Sequence, residues 1–64
     1  MEKEEKYQTI RTLLDKEEYD KALATVDAFI EEAKDDDMLW YLRGNVFKKQ
    51  ERWKEAIDSY TEAI

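Results

Sequence analysis

The sequence predicts an all-α protein, an α-α superhelix of two antiparallel helical hairpins with four helices, forming one small domain over residues 1–64. Three observations carry that expectation. The chain has no proline and a single glycine, Gly44, whereas a β-rich domain needs turn residues about every 8–12 positions. Apolar residues recur at steps of three and four in four separate segments, which places them on one face of a helix each time. The sequence also aligns with itself, without gaps, at an offset of 34 residues, the mark of a stacked helical repeat.

The first segment carries Tyr7, Ile10, Leu13 and Leu14. Lys16-Glu17-Glu18 interrupts the pattern with polar residues alone. The second runs through Tyr19, Ala22, Leu23, Val26, Phe29, Ile30 and Ala33. Asp35-Asp36-Asp37 follows, and an aspartate there can cap the next helix by accepting from its free N–H groups. The third segment carries Leu39, Trp40, Leu42, Val46 and Phe47, and Gln50-Glu51-Arg52 ends it. The fourth carries Trp53, Ala56, Ile57, Tyr60, Ala63 and Ile64. Interiors rich in Ala, Leu, Glu and Lys favour helix, and links this short make the flanking helices antiparallel neighbours.

Composition narrows the class further. Charged residues make up 44% of the chain and hydrophobic ones 42%, a balance that suits amphipathic helices with a solvated outer face. Two Trp, four Tyr and two Phe argue against disorder, which is poor in aromatics. A chain of this length buries only about 60% of its unfolded surface, and no cysteine is present to staple it. With no histidine either, thiolate and imidazole metal sites, a cysteine nucleophile and a histidine base are all excluded, and no cofactor is expected.

Net charge is −6, so binding of DNA or RNA by phosphate neutralisation is not expected. The charge is uneven: residues 1–37 hold 13 acids and 6 bases, residues 38–64 hold 4 acids and 5 bases. No apolar run approaches the roughly 20 residues of a membrane span. The acidic start Met1-Glu2-Lys3-Glu4-Glu5 does not read as a signal peptide, and a cytoplasmic setting is the default expectation.

Residues 38–64 resemble the tetratricopeptide repeat, whose pattern runs W-x2-L-G-x2-Y, then A-x3-F, then a later Ala and Pro. Trp40, Gly44, Phe47, Ala56, Tyr60 and Ala63 stand at the matching spacings. The first half is similar more loosely. Leu13, Tyr19, Ala22 and Val26 sit at pattern positions, while Lys6 replaces the Trp, Ile10 the Gly and Phe29 the late Ala. The resemblance thus implies two repeats, one over about residues 3–36 and one over 37–64, with Gly44 and Ala56 small where the helices of a hairpin approach closely. Arg43 stands where the family has Leu, so either that position is exposed or Leu42 takes its place. Glu17 and Glu51 hold the turn position where the family favours Gly. If the turn needs positive φ, each Glu costs roughly 1 kcal/mol.

The resemblance further implies a scaffold for protein–protein interaction, with the first helix of each repeat lining a groove that receives a peptide or a partner helix. Counted onto this chain, that groove carries Tyr7 and Arg11, then Tyr41, Asn45, Lys48 and Lys49. Asn45 can both donate to and accept from peptide backbone, the three bases can pair with acids, and the tyrosines offer flat contact area. The competing reading is an ordinary solvated helix face. A carboxylate clamp of the kind some family members use finds only Asn45 in place, since Tyr41 stands where it needs Lys.

Catalysis is not expected. Carboxylate pairs such as Glu31 and Asp35 arise by chance among 17 acids, and acid–base chemistry needs a pocket that separates their pKa values. Ser59 has no histidine to serve it. The Asp35-Asp36-Asp37 run reads as a helix cap and not as a calcium loop, which needs six to eight converging oxygens. Trp53, Ile57, Tyr60 and Ile64 form an apolar stripe on the last helix, where a solenoid end normally carries a polar cap. That stripe suggests either a piece of a longer repeat protein or, as the alternative function, a self-association module that forms a homodimer through its last helix.

Overall fold

The computed structural model describes residues 2–64. Met1, part of the acidic start, lies outside them. Four helices follow in order: α1 (Glu2–Asp15), α2 (Tyr19–Glu32), α3 (Asp37–Lys49) and α4 (Trp53–Ala63). There is no strand among the described residues. The two hairpins, α1–α2 and α3–α4, are joined where α3 packs against both α1 and α2, and among the described residues no helix is long and apolar enough to cross a membrane.

The turns inside the two hairpins are copies of each other. Glu18 N–H donates to the Leu13 carbonyl at 2.9 Å, and Arg52 N–H donates to Phe47 at 2.8 Å. Glu17 N–H reaches Leu14 and Glu51 N–H reaches Lys48, both at 3.0 Å. These bonds satisfy the last carbonyls of α1 and α3 in the manner of a Schellman motif. The motif requires a left-handed residue, and Glu17 (φ 60°) and Glu51 (φ 59°) supply it. Positive φ, the condition under which a Glu is costly at these two positions, is thus present, in residues that carry a Cβ.

Between the hairpins the chain turns differently. Asp36 is the N-cap of α3, and its carboxylate accepts from the Met38 N–H at 3.1 Å. The Tyr7 hydroxyl donates to both oxygens of the same carboxylate, at 2.9 and 2.8 Å. One side chain thus caps α3 and ties it to α1. Trp40 adds a second tie by donating from Nε1 to the Lys34 carbonyl at 2.9 Å.

The core lies where α3 meets the first hairpin. Ile10, Val26, Ile30, Leu39 and Leu42 are buried together, with Tyr7, Leu14, Phe29 and Trp40 packed around them. Leu42 is therefore a core residue, and Arg43 beside it is neither lost to solvent nor apolar. Its Nε donates to Asp27 of α2 at 2.7 Å and its Nη1 to the buried Ser59 hydroxyl of α4 at 2.8 Å. The guanidinium lies 4.8 Å from the Phe47 ring centre and 5.7 Å from that of Trp40, so cation–π contact replaces the packing a leucine would give. Within the second hairpin Ala56 is buried and Gly44 is crossed by Tyr60: a Cβ built on Gly44 would fall under 3.0 Å from three ring atoms.

Candidate functional site

Two concave surfaces adjoin α3. The first, of about 480 Å³, lies between α1 and the second hairpin and is lined by Arg11, Leu14, Asp15, Asn45, Lys48, Lys49 and Trp53. Helical spacing explains the set: Arg11, Leu14 and Asp15 are three and four apart on α1, as are Asn45, Lys48 and Lys49 on α3. Trp53 enters from the first turn of α4, directly after the Glu51 turn. Four of the six residues expected to form the groove are thus brought together here.

Its electrostatics run against those of the whole chain. Arg11, Lys48 and Lys49 are exposed and, among the described residues, take part in none of the ion pairs, which join Lys6–Glu32, Lys21–Glu18, Arg43–Asp27 and Arg52–Glu55. Asp15 is the single acid in the lining. Lys48 and Lys49 also sit in the last turn of α3, where cations favour the negative end of the helix dipole, so their presence has a structural reason as well.

The second concavity, of about 550 Å³, opens between α3 and α4 and is lined by Asp37, Tyr41, Asn45, Lys48, Tyr60, Ala63 and Ile64. Tyr41 and Tyr60 meet with ring centres 5.7 Å apart and planes tilted by 41°. The Tyr60 hydroxyl donates to Asn45 Oδ1 at 2.6 Å, so the acceptor side of Asn45 is partly engaged and its N–H groups are the side left for a ligand. Burial, and then the neighbouring Tyr41, push the Tyr60 hydroxyl above its ordinary pKa.

Tyr7 lies apart from both surfaces. It is half-buried against the core and its hydroxyl is committed to Asp36. Burial, followed by the hydrogen bond to Asp36 and its charge, raises its pKa. The stripe on α4 divides as well. Trp53, Ile57 and Ile64 are exposed, at 55%, 63% and essentially complete exposure, while Tyr60 is half-buried across Gly44. Ser59 is fully buried and accepts from Arg43.

Sequence reasoning did not assign Leu14, Asp15 or Trp53 to the groove, nor Ala63 and Ile64 to a surface shared with Tyr41. The 34-residue offset contained the signal for the latter, since it makes Tyr41 and Ile64 equivalent to Tyr7 and Ile30, which both belong to the core around α3. Against known proteins, residues 38–64 match the family model described as tetratricopeptide repeat. No curated protein and no solved structure matches the chain.

Proposed function

We propose, from the match of residues 38–64 to the tetratricopeptide-repeat family model, that the chain is a protein-interaction scaffold whose α1–α3 groove captures an acidic segment of a partner protein. In this reading residues 3–36 act as a diverged first repeat that supplies one wall. The observation that carries the proposal is the convergence of Arg11, Lys48 and Lys49 around one concavity in a chain of net charge −6. A basic groove on an acidic protein selects polypeptides by charge and speeds their encounter. Asn45 gives backbone hydrogen bonds and Trp53 gives a flat apolar anchor at the groove's end. No covalent chemistry is needed for this role.

Fluorescence anisotropy with a labelled peptide of alternating glutamates and leucines tests the reading. Binding that weakens with salt and is lost in the Arg11→Glu, Lys49→Glu double variant supports it. Equal binding by that variant, or a preference for a lysine-rich control peptide, refutes it.

A second reading draws on the exposed Trp53, Ile57 and Ile64: a homodimer through α4. Sedimentation across a range of concentrations distinguishes the two, because the groove reading leaves the chain monomeric.

A further inference from the structure

Tyr60 fills a position where the tetratricopeptide pattern carries Phe. The ring alone accounts for the packing. It crosses Gly44 and meets the Tyr41 ring, and a phenylalanine ring would do both. The hydroxyl is surplus to that role, and it donates to Asn45 Oδ1 at 2.6 Å. Tyr60 borders the α3–α4 concavity and not the α1–α3 groove, whereas Asn45 borders both. The bond therefore holds Oδ1 on the Tyr60 side and leaves the Nδ2 end of the planar amide for the groove.

That orientation runs against the local field. Arg11, Lys48 and Lys49 line the groove with Asn45, and cations attract the carbonyl end of an amide, not its N–H end. With no hydroxyl to hold it, Oδ1 would turn towards them. With the hydroxyl in place, the polar side chains of the lining are donors, Asp15 excepted. They comprise the three cations, the Asn45 amide N–H groups and the Trp53 indole N–H. The backbone adds little acceptor capacity, since the Leu14 and Lys48 carbonyls already accept from Glu17 and Glu51 in the turns.

We propose that the Tyr60 hydroxyl is a positioning group that sets the specificity of the α1–α3 groove. By fixing the Asn45 amide it makes the groove accept carboxylate side chains and reject their amide counterparts. The inference rests on the acidic-segment reading of the groove and deepens it. Glutamate offers acceptors alone, so it satisfies Asn45 and a neighbouring cation together. Glutamine can accept from Asn45 only by bringing its own N–H groups against cations that offer no acceptor. The groove thus discriminates by the direction of a hydrogen bond as well as by charge.

A double-mutant cycle between chain and peptide tests this. The full chain, unchanged or Tyr60→Phe, is titrated with labelled glutamate–leucine peptides in which one glutamate at a time is replaced by glutamine. Tyrosine and phenylalanine are both neutral at pH 7, so the coulombic part of each loss is common to both chains and cancels. For at least one glutamate, the loss on replacement is expected to be about threefold smaller in Tyr60→Phe, the scale of one hydrogen bond. Asn45→Ala gives the same reduction, and adding Tyr60→Phe to it changes the preference no further. A merely structural role lowers affinity for all peptides alike and leaves the ratio unmoved. Far-ultraviolet circular dichroism confirms that each variant keeps its helices. Equal losses at every position in the unchanged and Tyr60→Phe chains overturn the proposal. If Arg11→Glu with Lys49→Glu still abolishes binding in that case, the acidic-groove reading stands without it. Failure of the unchanged chain to bind the parent peptide overturns both.

Discussion

The Tyr60 ring stands in the space that a side chain on Gly44 would need. It is held there by its hydroxyl on Asn45 at 2.6 Å and by the Tyr41 ring, so it cannot swing aside freely. Alanine inside a helix normally gains about 1 kcal/mol over glycine. Here the overpacking penalty of about 1–3 kcal/mol outweighs that gain. Gly44→Ala is therefore expected to lower stability in thermal unfolding. In a Tyr60→Leu background the same change becomes neutral or stabilising, and a double-mutant cycle measures the coupling.

Ala56 is the second close contact, buried on the face of α4 that meets α3. Ala56→Leu is expected to destabilise by about 1–3 kcal/mol through forced rotamers or helix displacement. Urea unfolding monitored by tryptophan fluorescence reads the loss as a lower midpoint.

Glu17 and Glu51 hold left-handed backbone with a Cβ attached. Glycine removes that strain, of roughly 1–2 kcal/mol, but makes the unfolded chain freer by about 0.4–1 kcal/mol. Each of Glu17→Gly and Glu51→Gly is expected to raise stability by about 0.5–1 kcal/mol. Among the described residues the two turns share no backbone hydrogen bond, so the two gains are expected to add. A melting temperature that falls in either variant contradicts the assigned conformation.

Arg43 joins three helices through Asp27 and Ser59. The Asp27 side is half exposed and contributes little. The Ser59 side is buried, so Arg43→Leu leaves a hydroxyl deprived of its partner and is expected to cost about 1–2 kcal/mol. Adding Ser59→Ala recovers part of that loss, because removing both polar partners is milder than removing one.

Tyr7 and Tyr60 both have pKa values raised above the ordinary 10.0. A folded-state pKa above the unfolded one means that the stabilisation is complete below pH 10 and is lost as pH rises through the folded values. Stability is accordingly expected to fall on the alkaline side of pH 10. Absorbance titration at the tyrosinate band shows late-ionising rings, and Asp36→Asn brings part of that signal to lower pH by removing the carboxylate that faces Tyr7.

Much of the fold was legible because it follows local rules. Steps of three and four marked the helices, the polar triplets marked the links, and the offset of Glu17 from Glu51 marked equivalent turns. Arg43 was not legible in this way. Its side chain is long enough to lie over Phe47 while its charge reaches two other helices, a compromise no single-position pattern encodes. Tyr7 was read as a groove residue from its position, but its hydroxyl meets Asp36 across 29 residues of sequence, a contact that only the seating of α3 creates. Of the groove itself, the bases on α1 and α3 could be counted out along the helices. Trp53 could not, because its place depends on how the turn at Glu51 aims α4.

The central claim is that the α1–α3 concavity is where a partner's acidic segment lies. Two-dimensional amide NMR of the labelled chain, titrated with the glutamate–leucine peptide, tests it residue by residue. The account predicts that the largest shifts fall on Arg11, Asn45, Lys48 and Lys49 and on the Trp53 indole. Shifts confined to the outer face of α2, or none at saturating peptide, would contradict it.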